Sequence, residues 1–189
     1  QNMPKDNIER AVKKSYDENA ENYEEVRYEG FGIEGVGIIV ESLTDNRNRT
    51  AGDIRSIFSK HGGNLGETGS VSFMFNHLGI IKFSKEAGDF EDVFEIATDA
   101  GALDCDSTED GYEISCSTDE LHQVTEMIEG NVKIPITAQL SWRPSNLIPL
   151  DKEKALKVLG MIDVLDDHDD VQEVFANFDL PEEIFNEMS

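Results

Sequence analysis

The order of apolar segments over residues 79–144 most narrowly limits what this chain can fold into. Strand patterns begin and end the stretch, and two short strands joined by Asp110-Gly111, a strong hairpin signal, lie in its middle. An amphipathic helix ending at Gly101 precedes the hairpin, and another ending at Gly130 follows it. Pro135 predicts that the last strand lies at an edge of the sheet or is bulged. The order β-α-β-β-α-β is that of a ferredoxin-like domain.

Upstream elements belong to a different domain. Val36–Leu43 is a continuous apolar run, which is typical of a strand covered on both faces, and polar residues 16–34 before it form a linker or a hairpin. A helix follows and ends near Lys60, ahead of two glycines. The alternating apolar residues over 71–75 predict another strand, and a turn at 76–79 separates it from the stretch described above.

Downstream, a helix over 151–165 and a strand over 171–178 complete no domain of their own. We interpret them as the missing helix and strand of the upstream domain, so that the ferredoxin-like stretch is an insertion. The predicted fold class is α+β, with two ferredoxin-like α/β sandwich domains, one inserted into the other. The predicted divisions are an N-terminal helical remnant with its linker, an outer domain and an inserted domain, at 1–24, 25–78 plus 145–189, and 79–144.

The charge of the chain is strongly negative and unevenly distributed. Against 40 Asp and Glu stand 16 Lys and Arg, a net charge of −24 at pH 7. This excludes nucleic-acid binding by overall attraction. Residues 44–66 are the exception, because they carry four basic and two acidic side chains. An anionic partner is therefore expected to bind there. No apolar segment is long enough to predict a membrane span.

A polar turn within this basic stretch is the strongest candidate site. Asn46, Arg47, Asn48 and Arg49 are predicted to lie in a turn just before the helix N-terminus, where guanidinium groups, amides and free backbone N–H groups suit a phosphate. Further along the same helix, the candidate site is extended by Arg55, Lys60 and His61. An alternative is equally open from composition alone: the arginines pair with Asp45 and Asp53 in a surface network.

Other motifs favour structural interpretations. The glycines of Gly30–Gly35 match a dinucleotide fingerprint, but they precede a strand instead of following one, so we expect a tight connector. The acidic run Asp166–Asp170 lacks the central glycine and distal Glu of a calcium loop and is expected to be a solvated turn. Cys105 and Cys116 would face each other across a two-residue turn as reduced, buried thiols. No catalytic constellation, metal site or cofactor site is predicted.

Several blocks of the sequence resemble the YebC family. They are Tyr28–Gly32, Leu43–Thr50, Ile57–Gly66 and Ser70–Phe75, with agreement also at 2–11 and 178–181. Family members are described as transcriptional regulators that bind DNA, or as translation factors, including a mitochondrial activator of a cytochrome oxidase subunit and bacterial members that help ribosomes through proline-rich stretches. The family fold is an N-terminal helical domain followed by two α+β domains. Because the family's basic N-terminal segment is not found here, the resemblance implies an N-terminally shortened chain.

Together these observations predict a non-enzymatic regulator of gene expression. Its expected partner is ribosomal RNA, with association to the ribosome, or otherwise promoter DNA, and we expect a cytoplasmic monomer that binds no membrane. Two alternatives from other classes stay open: an enzyme that uses a cleft between the two domains, and a protein-interaction module. Loss of ribosome or DNA association on mutation of 46–49 would favour the first interpretation.

Overall fold

The computed structural model describes residues 22–184, so the helix predicted over 2–15 and most of the predicted N-terminal remnant lie outside the described residues. The chain divides into two compact units. The outer unit runs to Asn76 and resumes at Pro144, and the inner unit is His77–Arg143. In chain order the described strands and helices are β1 (Glu24–Phe31), β2 (Gly37–Thr44), α1 (Arg47–Lys60), β3 (Asn64–Leu65), β4 (Phe75–Phe83), α2 (Phe90–Ala100), β5 (Asp104–Ser107), β6 (Tyr112–Cys116), α3 (Leu121–Val132), β7 (Ile136–Pro144), β8 (Ile148–Pro149), α4 (Lys152–Asp167), β9 (Val171–Ala176) and β10 (Phe178–Asp179).

The outer unit is an antiparallel sheet with strand order β3-β1-β2-β9, against which α1 and α4 pack. A hairpin joins β1 to β2 with Tyr28 opposite Val40, so the polar stretch before β2 contains a strand. The apolar run of β2 is buried on both faces, as predicted. Its alternate residues meet both helices in one core, whose fully buried members include Ile38, Val40, Ile54, Phe58, Val158, Met161 and Leu165.

The glycines of Gly30–Gly35 join these two strands, as expected for a connector. A Cβ at Gly30 would lie 2.7 Å from the Phe58 ring, and one at Gly63 would lie 2.4 Å from the carbonyl oxygen of Phe31. Both positions therefore need glycine so that β1, β3 and α1 can approach closely.

The strand predicted over 71–75 is wrong. Ser72–Met74 form a 3-10 turn and the Phe73 side chain is 74% exposed. The physical reason is the Glu29 carboxylate, which accepts hydrogen bonds from the N–H groups of Val71 and Ser72, so this segment bends around a side chain instead of pairing in a sheet. The turn predicted at 76–79 is wrong as well, because β4 continues unbroken through it.

The inner unit is an antiparallel sheet with order β5-β6-β4-β7, with α2 and α3 packed together. This is the predicted β-α-β-β-α-β order, and β7 is an edge strand, as Pro135 predicted. The helix α3 passes Gly130 and ends at Val132, where Lys133 takes a left-handed conformation with φ of 52°. The protein is thus α+β, with two ferredoxin-like units.

The predicted pairing of the two cysteines is wrong. Cys105 lies opposite Ile114, and β5 and β6 are joined by a four-residue turn over 108–111, in which the Thr108 N–H donates to the Gly111 carbonyl oxygen at 2.8 Å. The longer turn shifts the register by two residues from that of a two-residue turn. Both cysteines are free thiols and buried, and burial raises the pKa of each.

Candidate nucleic-acid interface

Side chains of the preceding turn hold the start of α1. The Asn46 side-chain oxygen accepts a hydrogen bond from the Arg49 N–H at 3.1 Å, which is the role of a helix N-cap. Thr44 supports that cap, because its hydroxyl oxygen accepts from the Asn46 N–H at 2.9 Å. The four predicted residues Asn46–Arg49 therefore lie together on one exposed helix start.

Arg49 belongs to a network within the protein. Its Nη2 lies 3.1 Å from Asp170 Oδ2 and 3.2 Å from Asp45 Oδ1. The hydrogen bond to Asp170 is the largest cause of the raised pKa of Arg49. Thr50 Oγ1 lies 2.7 Å from the same Asp170 oxygen, so this carboxylate joins α1 to the segment before β9. Arg49 thus pairs with Asp45, as the surface-network alternative has it, but its second partner is Asp170 and not Asp53.

The acidic run Asp166–Asp170 was expected to be a solvated turn, and the structure differs from this at Asp170 and at the end of α4. Its side chain is 13% exposed, and Asp166 and Asp167 belong to the last turn of α4. The run is thus divided between a helix end and a partly buried partner of Arg49, and only part of it is a solvated turn. The pKa of Asp166 is raised, first by burial and then by the neighbouring Asp163 and Asp167.

Arg47 and Arg55 present their charge to solvent. The Arg47 side chain is 65% exposed and lies 3.7 Å from Glu24, a loose ion pair of the kind that contributes little to stability. Arg55 is exposed in the middle of α1, with no ion pair to any residue of the described range 22–184. These two guanidinium groups are therefore available to a partner.

Asp53, the acidic residue of α1, also has a partner within the protein. Asp53 Oδ2 lies 2.9 Å from His168 Nε2, while His168 Nδ1 accepts a hydrogen bond from the Asp170 N–H at 3.1 Å. In neutral His168 the proton therefore resides on Nε2 and is donated to Asp53. This contact ties the half-exposed Asp53 carboxylate to the segment between α4 and β9.

Lys60 and His61 lie at the other end of α1, about 20 Å from Arg47 at 1.5 Å per helical residue. His61 Nδ1 is 2.8 Å from the Ile57 carbonyl oxygen, so this nitrogen carries the proton and closes the helix end. The predicted residues thus share one helix but form no pocket. They are distributed along the helix on more than one side of it, because Arg47 lies near Glu24 and Arg49 lies near Asp170.

Sequence reasoning missed a buried carboxylate of the outer unit. The Glu29 side chain has no exposed surface and accepts hydrogen bonds from the N–H groups of Gly69, Val71 and Ser72, at 2.8, 3.1 and 2.7 Å, and from Arg27 at 3.2 Å. It holds the turn that presents Phe73. In the sequence Glu29 is one of several acids in a polar strand, and the three residues whose backbone N–H groups bind it follow 40 or more positions later.

Within 22–184, the His, Cys, Asp and Glu side chains form no group of three or more placed to hold a metal ion. None of the described helices is both long and apolar enough to cross a membrane.

Comparison with known proteins agrees with this architecture. A crystal structure of a conserved hypothetical protein from Aquifex aeolicus superposes with a TM-score of 0.80, at 42% sequence identity, over 97% of this chain and 76% of that one. The family model described as TACO1/YebC second and third domain, named as a transcriptional-regulator type and not as an enzyme, matches residues 23–178. The chain belongs to the TACO1/YebC family.

Proposed function

We propose that this protein is a non-enzymatic regulator of gene expression that contacts nucleic acid through the outward face of α1. One observation carries the proposal. This helix bears four basic side chains in a chain of net charge −24, and its one acid is held by His168. Phosphates bind such a face because the field elsewhere on the surface is repulsive, which also fixes the orientation of approach.

Arg47 and Arg55 are the principal contacts in this proposal, with Asn48 between them and Lys60 at the periphery. Arg49 acts indirectly, by holding the helix start against Asp170. The proposal therefore differs from one in which the turn over 46–49 binds phosphate by itself. A contact along one face requires the partner to follow the helix for several residues.

Ribosomal RNA is the preferred target, and DNA is the second candidate. An exposed aromatic ring supports the preference. Phe73 is 74% exposed on a turn fixed by the Glu29 carboxylate, and a rigid exposed ring suits stacking on an unpaired base. Duplex DNA offers no unpaired bases to such a ring. In this proposal the protein acts in the cytoplasm, bound to ribosomal particles.

The test is a salt titration of binding to ribosomal RNA and to duplex DNA. We expect Arg47→Ala/Arg55→Ala to lower the slope of log K against log salt by roughly one unit for each lost contact. The matched control is Lys154→Ala/Lys157→Ala on α4, which removes two partly or fully exposed cations from another helix of the same unit. A slope that stays unchanged in the first variant, or falls equally in both, contradicts the assignment to α1.

A second measurement separates the two targets. The protein is followed through a sucrose gradient of a cell lysate, with and without magnesium. Comigration with ribosomal particles, reduced in the Arg47→Ala/Arg55→Ala variant, supports the RNA assignment. Binding to duplex DNA without comigration supports the second candidate. An enzyme or a protein-interaction module would show neither the salt slope nor its dependence on these arginines.

A further inference from the structure

One helix of the inner unit exposes aromatic rings that the fold leaves uncovered. Phe90 is 41% exposed and Phe94 is 49% exposed, and their ring centroids lie 5.8 Å apart on successive turns of α2. The buried side of the same helix is formed by Val93, Ala97 and Ala100. The two rings therefore lie beside the buried stripe and are only partly covered by the core.

The residues beside these rings are acidic. Glu91 and Glu95 follow the two phenylalanines at the same four-residue spacing, so the carboxylates form a row parallel to the rings. All four charged residues of α2 are acidic, and the inner unit as a whole carries 15 acidic against four basic residues. We call the surface formed by Phe90, Glu91, Phe94 and Glu95 the α2 face.

The same aromatic cluster already binds a cation within the protein. Tyr112 lies beside Phe90, with ring centroids 6.4 Å apart, and Lys85 Nζ is 5.1 Å from the centroid of the Tyr112 ring. A lysine stem packed on an aromatic ring with its ammonium over the face is a favourable arrangement. The two exposed rings offer further positions of this kind, with carboxylates next to them.

We propose that the α2 face binds a polypeptide segment in which lysine or arginine alternates with aliphatic side chains. Charge complementarity selects this occupant. Nucleic acid and anionic lipid are repelled by the acidic row, and a second copy of a chain with net charge −24 would set acid against acid. The aliphatic side chains and lysine stems cover the rings, while the cationic heads meet the carboxylates. This surface is separate from α1, and the proposal does not depend on the proposed nucleic-acid contact.

The test uses the whole protein and two short fluorescein-labelled peptides of equal charge, one alternating lysine with leucine and the other lysine with serine. We expect the lysine–leucine peptide to bind more tightly in an anisotropy titration. Phe90→Ala/Phe94→Ala should weaken that peptide roughly tenfold, as loss of an aromatic anchor does, and change the lysine–serine peptide little. Glu91→Gln/Glu95→Gln should weaken both peptides.

Two matched controls distinguish the α2 face from general attraction. Glu126→Gln/Glu129→Gln makes the same charge change on α3, and Leu147→Ala removes an exposed apolar side chain from the outer unit. Both should bind the lysine–leucine peptide like the unaltered protein, and its amide shift changes should concentrate on α2. Phe94→Ala alone keeps the contact between Phe90 and Tyr112, so it reports binding if the double variant unfolds. Equal losses in the α3 control, equal affinity for both peptides, or no loss in Phe94→Ala would overturn the proposal.

Discussion

The two units share an architecture but bury different chemistry. Each contains a four-stranded antiparallel sheet with two helices, and the outer unit adds the parallel pair β8–β10. The outer unit buries most of the protein's buried polar side chains: Glu29, Ser42, Thr44, Thr50 and Asn177. Among the described residues of the inner unit, the buried side chains are apolar or thiols, apart from Ser141 and the Tyr112 hydroxyl. The outer unit therefore depends on hydrogen bonds between distant segments, and the inner unit depends on apolar packing.

Their surfaces differ as much as their interiors. The basic helix α1 belongs to the outer unit, and the aromatic and acidic α2 face belongs to the inner unit. Two units of one fold class thus carry helices of opposite charge, four basic and one acidic residue on α1 against four acidic residues on α2. The comparison shows that the fold positions helices on a sheet, while the function depends on which side chains those helices turn outward.

The strongest test of the comparison is to separate the units. If the inner unit depends on its own apolar core, His77–Arg143 expressed alone should fold, because its sheet closes without strands from the outer unit. Amide NMR is expected to show wide proton dispersion. A collapsed, random-coil spectrum would contradict both the insertion interpretation and the independence of this core.

Removal of the Glu29 side chain should affect only the outer unit. Glu29→Ala leaves the N–H groups of Gly69, Val71 and Ser72 without their acceptor, at a cost of roughly 3–5 kcal/mol of unfolding free energy, as for other broken buried ionic contacts. Hydrogen exchange measured by mass spectrometry should rise in β1 and β2. Glu25→Ala, an exposed position on the same strand, is the matched control and should change little.

The two cysteine thiols show whether the Glu29→Ala substitution also affects the inner unit. Cys105 and Cys116 are both buried in the inner unit, so labelling of the native protein should be slow, and denatured protein should yield two thiols. In Glu29→Ala the labelling rate is expected to stay at the rate of the unaltered protein. A parallel rise in exchange of β2 and in thiol labelling would show that the units unfold together.

Acid should weaken the outer unit through the same carboxylate. Burial by itself raises the pKa of Glu29, but the three backbone N–H groups and Arg27 reverse this, and the pKa lies below its ordinary value. A depressed folded pKa contributes stability that is complete above the unfolded value near 4.3 and is lost as pH falls through the lower folded value.

The measurement is urea unfolding of the unaltered protein and of Glu29→Ala at several pH values between about 6 and 3, the range in which side-chain carboxyl groups titrate. The difference between the two should shrink as the pH falls. Taking the difference removes the opposite effect of Asp166, whose raised pKa makes its charge unfavourable in the fold. A difference that is constant with pH would show that Glu29 acts by packing and not by charge.

The parts of the fold that sequence reasoning identified follow from local patterns. A few neighbouring residues are enough to predict each of three features: the apolar stripe of α1, the buried run of β2 and the edge position of β7. The errors arose where the structure depends on more than a local pattern. Glu29 bends the segment over 71–75 that was predicted as a strand. The length of the turn between β5 and β6 sets the register of the two cysteines. The candidate site shows the same limit. Its residues could be predicted from their charge. That Arg49 is paired within the protein while Arg47 and Arg55 face solvent depends on the position of Asp170, which the sequence does not show.

The smallest expected effect comes from two glycines inside exposed helices. A Cβ at Gly52 in α1 or at Gly130 in α3 would meet no atom within 4 Å, so the fold itself requires neither glycine. Alanine at either position should raise stability by about 0.5–1 kcal/mol, because it restricts the unfolded chain and favours helix. Urea unfolding should place the gain of Gly52→Ala in the outer unit and that of Gly130→Ala in the inner unit.

Binding then distinguishes the two variants. If a nucleic acid lies against the outward face of α1, the methyl group of Gly52→Ala stands in the interface and weakens binding, while Gly130→Ala is neutral. A variant that is more stable yet binds less tightly separates contact from folding, which a destabilising substitution cannot do. Equal binding by both variants would place the nucleic acid at the arginine side chains alone, away from the backbone of α1.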